Sequence, residues 1–252
     1  MFHAGLLRDP PSPSPGTGGQ DRVEWSERLR HLASQARDPR LRAFYQAGGV
    51  PASTPLQEVP LLALDVETTG LDPVQDGIVS IGVVPMTLDC IHSSRSRHWL
   101  LKPRVPLQDD AVTIHGITHQ QIQHAPDLDQ VLDDVLSMMA GHVMVVHCRD
   151  IERRFLESAL RRRIDEGIEF PVIDTMELEA RLYRQPVTGW RRWWRPMAPP
   201  VSIRLAASRA RYGLPRYRLH HALTDALASA ELLQAQVADR FTPASPVSDL
   251  WR

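Results

Sequence analysis

The sequence predicts an α/β fold: a mixed five-stranded sheet flanked by helices, with a helical extension in front. Two observations carry this expectation. Two apolar runs, 61–66 and 78–84, and a third stretch able to form a strand, 93–101, follow one another with turn-like sequence between the first two. After them, helical and strand-like patterns alternate to about residue 238, as in parallel strands joined by helical crossovers. A chain of 252 residues with 42% hydrophobic content can bury one large core.

Residues 1–20, rich in Pro, Gly and Ser, are expected to form a disordered leader. Residues 21–59 read as a helical extension and linker. Trp25, Leu29, Leu32 and Ala36 share a stripe, Leu41, Phe44 and Tyr45 follow Pro39, and Gly48, Gly49 and Pro51 end the helix. Nothing in this helix carries chemistry, so it is read as a packing element or a homodimer contact. The main domain is expected over 60–240, followed by a tail, 241–252.

Within that domain, Leu61–Val66 reads as the first strand, TTGLDPVQDG (68–77) as a turn, Ile78–Val84 as the second strand and 93–101 as the third. Residues 113–118 open a short helix. Leu128, Val131, Leu132, Val135, Leu136 and Met139 mark the clearest helical face, stopped by Gly141. A short strand, 142–147, a helix, 150–163, and a strand at Val172–Ile173 follow. The last helix, roughly 221–238, presents Leu223, Leu227, Ala230, Leu233 and Val237.

Bulk properties exclude several classes. No run approaches the about 18 apolar residues of a membrane helix, the mean hydropathy is −0.27, and the first residues lack the pattern of a signal peptide. Cys90 and Cys148 are the only cysteines, too few for a disulfide framework, so a cytoplasmic location is expected. No Gly-rich phosphate loop is present. Net charge is −1, yet the stretch from Arg181 to Arg218 holds ten arginines and no Asp or Glu. In it Trp190, Trp193 and Trp194 alternate with Arg191, Arg192 and Arg195. Such a segment can stack on unpaired bases while guanidinium groups hold phosphates, or simply cover the core with its tryptophans.

The chemistry concentrates elsewhere. In LALDVETTGL (62–71), Asp65 and Glu67 interrupt an apolar strand two residues apart, so both point to one face. Burying two like charges together is costly unless a cation neutralises them. Glu152 follows the fourth strand, and Asp225 opens the last helix with His220 five residues before it. Oxygen ligands select hard divalent ions such as Mg²⁺ or Mn²⁺, and two of them about 3.5–4 Å apart can clamp a phosphodiester and its attacking water. A nearby histidine can take the water's proton. Taken alone, an Asp-x-Glu at a strand end is a solvated turn more often than a site, and spacing by itself does not bring these segments together.

A resemblance does. DVETTGL (65–71) is similar to the first motif of the DEDDh 3′–5′ exonucleases, which include the proofreading epsilon subunit of bacterial DNA polymerase III, RNase T and oligoribonuclease. IHGIT (114–118) resembles a segment these proteins carry between their first and second motifs, and HHALTDA (220–226) resembles the third motif, His-x4-Asp. The likeness spans about residues 60–238. It implies a ribonuclease H-like fold and hydrolysis of nucleotides from 3′ ends of single-stranded DNA or RNA with two divalent cations, Mg²⁺ or Mn²⁺. By position it implies Asp65, Glu67 and Asp225 as metal ligands and His220, rather than His221, as general base. Substrate contacts are expected at Thr68 and Leu71, and at His115 and His147, each of which lines the cleft or serves as a structural histidine. Water that loses its proton to His220 would attack the terminal phosphate and release a nucleoside 5′-monophosphate.

The second motif departs from the family pattern His-Asn-x-x-Phe-Asp. Here it reads HCRDIERRFL (147–156), and alignment on His147, Phe155 and Leu156 puts the ligand position on Glu152. Asp150 lies two residues earlier, which on a helix means a different face. Glutamate is one methylene longer, so the helix stands back from the metal, the site is reshaped, or activity is weakened and the chain serves as a binding module for single strands. An enzyme restricted to very short oligonucleotides is a further alternative. Asp174 is expected either to support the site or to cap a helix. The sequence does not establish polymerase association; DLWR (249–252) is the only suggestive segment.

Overall fold

The computed structural model describes residues 23–183, 201–218 and 220–252. The expected leader and the Trp190–Arg195 segment lie outside the described residues.

Leu61–Thr68 (β1) is the central strand of a five-stranded sheet, and its first four residues are fully enclosed. It pairs antiparallel with Ile78–Met86 (β2), which pairs antiparallel with Arg97–Leu100 (β3). On the other side it runs parallel to Val143–Val146 (β4), which runs parallel to Val172–Asp174 (β5), giving the order β3-β2-β1-β4-β5. The parallel half needs crossovers. Asp109–His115 (α3), His119–Gln123 (α4) and Leu128–Met139 (α5) lead from β3 to β4, and Arg149–Ile164 (α6) leads from β4 to β5. Thr175–Tyr183 (α7) and Leu205–Arg211 (α8) precede Ala222–Arg240 (α9), which packs across β2, β1 and β4. This is the mixed sheet with flanking helices that the sequence predicts.

Four local differences have physical causes. The N-terminal extension is two helices, Trp25–Gln35 (α1) and Pro39–Gln46 (α2), because Asp38 caps the second by accepting from the Arg40 and Leu41 N–H groups and Pro39 occupies its first position. IHGIT ends one helix before it opens another: Gly116 adopts φ 73° after α3, and Thr118 forms a capping box with Gln121 at α4. The buried seam of α9 is Ala222, Ala226, Ala230, Leu233 and Val237, with Leu223 and Leu227 only partly covered. The C-terminal segment is part of the domain: Trp251 is buried and bridges to Ile173, and the Arg252 N–H donates to the Val172 carbonyl at 2.9 Å. No helix among the described residues is long and apolar enough to cross a membrane.

Candidate metal centre

Parallel strands in an open sheet place their carboxyl ends along one edge, where loops and helix starts converge. β1, β4 and β5 deliver Asp65 and Glu67, His147 and Asp174 to that edge. A register shift in the β1–β2 ladder falls between Glu67 and Thr68, so the strand changes direction as it leaves the carboxylates.

Asp65, Glu67 and Asp225 come together, with one carboxylate oxygen of each within 4.8 Å of the others. α9 supplies Asp225 from its first turn. It can approach closely because β2 has glycine opposite Asp65: a Cβ on Gly82 would lie 2.6 Å from the Ala222 carbonyl oxygen and closer still to the Leu223 nitrogen. The electrostatics of the group are unfavourable in isolation. Burial first, and then Glu152, Glu67 and Asp225, push the Asp65 carboxyl well above its ordinary range. Burial and the Asp225 charge push Glu67 up to about 8. Burial also raises Asp225, against the pull of the His220 backbone N–H, and its Oδ1 has no partner among the described residues. Three converging carboxylates with an unpartnered buried oxygen fit a hard divalent cation, which supplies the positive charge and the ligands they lack.

Glu152 turns inward from α6, buried to 3% exposure, whereas Asp150 turns to solvent. Glu152 lies close enough to Asp65 to raise its carboxyl, but outside the group of three, and its Oε2 has no partner among the described residues. Burial dominates the upward shift of its own carboxyl, with Asp174 and Asp150 adding to it. Cys148 is a neutral thiol, pushed up to about 12 by burial and then by Glu152.

His220 is exposed, adopts φ 68°, and donates its backbone N–H to Asp225 Oδ2 at 2.8 Å. It lies beside His115, whose pKa is lowered by burial and then by His220. His115 Nδ1 accepts from the Ile117 N–H at 3.0 Å, and a hydrogen bond to the Thr68 backbone opposes the lowering of its pKa. His221 faces away: its ring lies 4.8 Å from that of His98, which pairs with Ser80 at 2.7 Å. Thr68 Oγ1 donates to the Gly70 carbonyl at 2.6 Å, and Leu71 is 59% exposed at the rim.

His147 occupies a different environment. It is buried, with Nε2 on the Ile203 carbonyl at 3.1 Å and Nδ1 on the Thr175 hydroxyl at 2.8 Å, and burial lowers its pKa to about 4. Both ring nitrogens are committed within the fold, so the ring has none left to offer a substrate. Asp174 does both things the sequence left open at the level of structure. Its Oδ1 caps α7 through Met176 and Glu177, and its Oδ2 accepts from the Arg149 N–H at 3.1 Å, tying down the start of α6 next to Glu152.

Sequence reasoning missed Gly82 and Arg209. A lone glycine inside a β-branched strand is a known sign of close backbone approach, so Gly82 was open to notice. Arg209, on α8, donates to the Ala228 and Pro215 carbonyls and to Glu231, and stacks on Tyr217 4.6 Å away, fastening the segment that leads to His220 onto α9. No sequence signal distinguishes it from the solvated arginines nearby.

Comparison with known proteins agrees with this geometry. The RNase T family model, described as an exonuclease, matches residues 62–233. A PolC-type DNA polymerase III from Thermotoga petrophila is 28% identical over 176 residues, covering 70% of this chain and 12% of the relative. The chain therefore spans about an eighth of that relative's length. Among solved structures, the nuclease domain of 3′hExo, a DEDDh family member bound to rAMP, aligns with a TM-score of 0.59 at 18% identity, covering 72% of this chain and 92% of that one. Exonuclease X in complex with 5′ overhanging duplex DNA aligns with a TM-score of 0.54 at 25% identity, covering 74% and 96%.

Proposed function

The chain belongs to the RNase T exonuclease family, as a 3′–5′ exonuclease of the DEDDh kind, and from that premise we propose that it removes nucleoside 5′-monophosphates from 3′ ends of single-stranded DNA or RNA. The observation that carries the reading is the convergence of Asp65, Glu67 and Asp225 beside His220. These three carboxylates would hold divalent cations, with Glu152 as the fourth ligand, reaching from α6 with the extra methylene that glutamate provides. Two ions, Mg²⁺ or Mn²⁺, supply Lewis-acid activation of water and neutralise charge on the leaving oxygen.

The chain's own groups do the rest. His220 takes the proton of the attacking water, and its exposure leaves the imidazole free to exchange that proton with solvent. Its backbone bond to Asp225 keeps base and carboxylate in fixed relation. His115, beside His220, together with Leu71 and Thr68 would meet the terminal nucleotide; the nearness of His115 to His220 and the exposure of Leu71 support this reading. Polymerase association and a homodimer remain outside this reading.

One observation favours a second reading: Glu152 stands outside the group of three. A chain whose metal site is weakened by that substitution would hold single strands without shortening them. Product analysis separates the two. Incubation of single-stranded DNA and RNA in Mg²⁺, followed by anion-exchange chromatography, is expected to give nucleoside 5′-monophosphates. Internal fragments or 3′-monophosphates overturn the proposal, and unchanged strands with retained binding favour the second reading.

A further inference from the structure

The turn that leaves β1 runs from Gly70 to Asp76 and lies against the outer side of α6, where the two enclose a groove of about 360 Å³. Its walls are Pro73 and Val74 on one side and Arg154, Glu157, Ser158, Arg161 and Arg162 on the other. Three guanidinium groups face one carboxylate, an excess of positive charge in a chain that is nearly neutral as a whole.

The arginines differ in how they are held. Arg162 donates to the carbonyls of Pro73, Val74 and Asp76, which fixes its guanidinium at the groove wall. Arg161 pairs with Glu157 one turn earlier at 3.0 Å, with both side chains largely in water, and such an exposed pair yields readily to a better anion. Arg154 is exposed and has no hydrogen-bond or ion-pair partner among the described residues. The same surface carries exposed aliphatic side chains: Val74 at 73%, Leu71 at 59% and Ile151 at 36%. Guanidinium groups next to exposed apolar faces suit a ligand that alternates phosphates with flat bases.

The groove and the metal centre are built from the same two chain segments. The turn begins three residues after Glu67, and Arg154 lies two residues beyond Glu152 on the same helix, facing out where Glu152 faces in. From Arg154 to Arg161 the helix rises about 10 Å, roughly the length of three stacked nucleotides at 3.4 Å each. We propose that this groove binds the sugar–phosphate backbone of the single strand on the 5′ side of the reacting end, as a second site that extends the catalytic one. The proposal rests on the nucleic-acid reading given above. It commits to a single nucleic-acid strand; an acidic peptide in the same groove would leave strand binding unaffected by the variants below.

The test is fluorescence anisotropy of a labelled phosphorothioate dT20, which resists hydrolysis, titrated with the full chain in Mg²⁺ at several NaCl concentrations. The variant is Arg154→Ala/Arg161→Ala, and the control is Arg30→Ala/Arg95→Ala, which removes two exposed arginines elsewhere. Shortening of ordinary dT20 by the wild type is followed in parallel. The groove variant is expected to bind about 5–10-fold more weakly. The slope of log K against log salt is expected to fall by about 1.4, or about 0.7 for each phosphate of the single strand that is no longer neutralised. The control keeps both values. If wild type shortens dT20 and the groove variant binds with unchanged affinity and slope, the groove is overturned and the exonuclease reading stands. If wild type neither binds nor shortens the strand, the groove falls, and with it the reading that the chain acts on single-stranded DNA.

Discussion

His220 donates its backbone N–H to Asp225 Oδ2 at 2.8 Å from a left-handed backbone, φ 68°. The proposed base and the carboxylate are therefore tied through the main chain rather than through the imidazole. His220→Ala is expected to fold and to lose about 10²–10⁴-fold in turnover. His220→Gly is expected to be equally inactive but at least as stable as His220→Ala. At an ordinary helical or extended position glycine is the less stable choice by about 0.5–1 kcal/mol; a positive φ reverses that preference. Thermal melts of the two variants check this.

Gly82→Ala tests the close approach of α9 to β2. An added methyl would meet the backbone of Ala222 and Leu223, which cannot rotate away as a side chain can. The helix start must shift, carrying Asp225 and His220 with it. A stability loss of about 1–3 kcal/mol is expected for overpacking of this kind, together with a fall in activity. Gly48→Ala, a substitution in the N-terminal extension with open space around it but a positive φ, should destabilise without the same loss of activity. The pair of melts and rates distinguishes displacement of the site from general damage.

Glu152 is buried with an unpartnered oxygen beside Asp65. Replacing it by Gln removes a buried like charge, so Glu152→Gln in EDTA is expected to be more stable than wild type by about 1–3 kcal/mol. Addition of Mg²⁺ or Mn²⁺ should raise the melting temperature of wild type and raise that of the variant less. Equal shifts in both would place Glu152 outside the metal site.

The site and His147 give opposite pH dependences. Glu67 has a folded pKa of about 8 without metal, above its unfolded value, so the folded state binds the extra proton. Metal-free protein should gain stability as pH falls from 8 toward 4.5, and bound metal should abolish that gain. His147 has a folded pKa of about 4, below its unfolded value near 6.5, so the unfolded state binds the proton first. Its contribution is intact above pH 6.5 and is lost as pH falls toward 4, about 3 kcal/mol in all by linkage. The difference between wild type and His147→Gln, melted across that range, isolates this effect.

The sequence made the sheet legible because strand burial leaves local patterns. Asp65 and Glu67 on one face of β1 are such a pattern, but joining them to His220 and Asp225 rested on the family resemblance, because spacing alone does not bring distant segments together. The choice of Glu152 over Asp150 rested on alignment to the family's second motif, with helical geometry setting Asp150 on another face, and the structure turns Glu152 inward and Asp150 outward. What stayed hidden depends on partners far along the chain. His147 reads as a site residue until Ile203, 56 positions away, takes its Nε2. The fit of Gly82 to α9 joins residues about 140 positions apart, and the C-terminal tail packs because Trp251 meets Ile173. Asp174 caps α7 by a local rule, but its bond to Arg149 ties two helices that only the sheet brings together.

The central claim is that the carboxylate group turns the chain into a metal-dependent enzyme acting from 3′ ends. The most direct measurement follows single strands labelled at either the 3′ or the 5′ end on a denaturing gel, in Mg²⁺, in Mn²⁺ and in EDTA, with Asp65→Asn alongside. The expected result is a descending ladder from the 5′-labelled strand and immediate release of a labelled mononucleotide from the 3′-labelled one, both absent in EDTA and in the variant. Strands left intact in every metal by folded wild-type protein would contradict the claim.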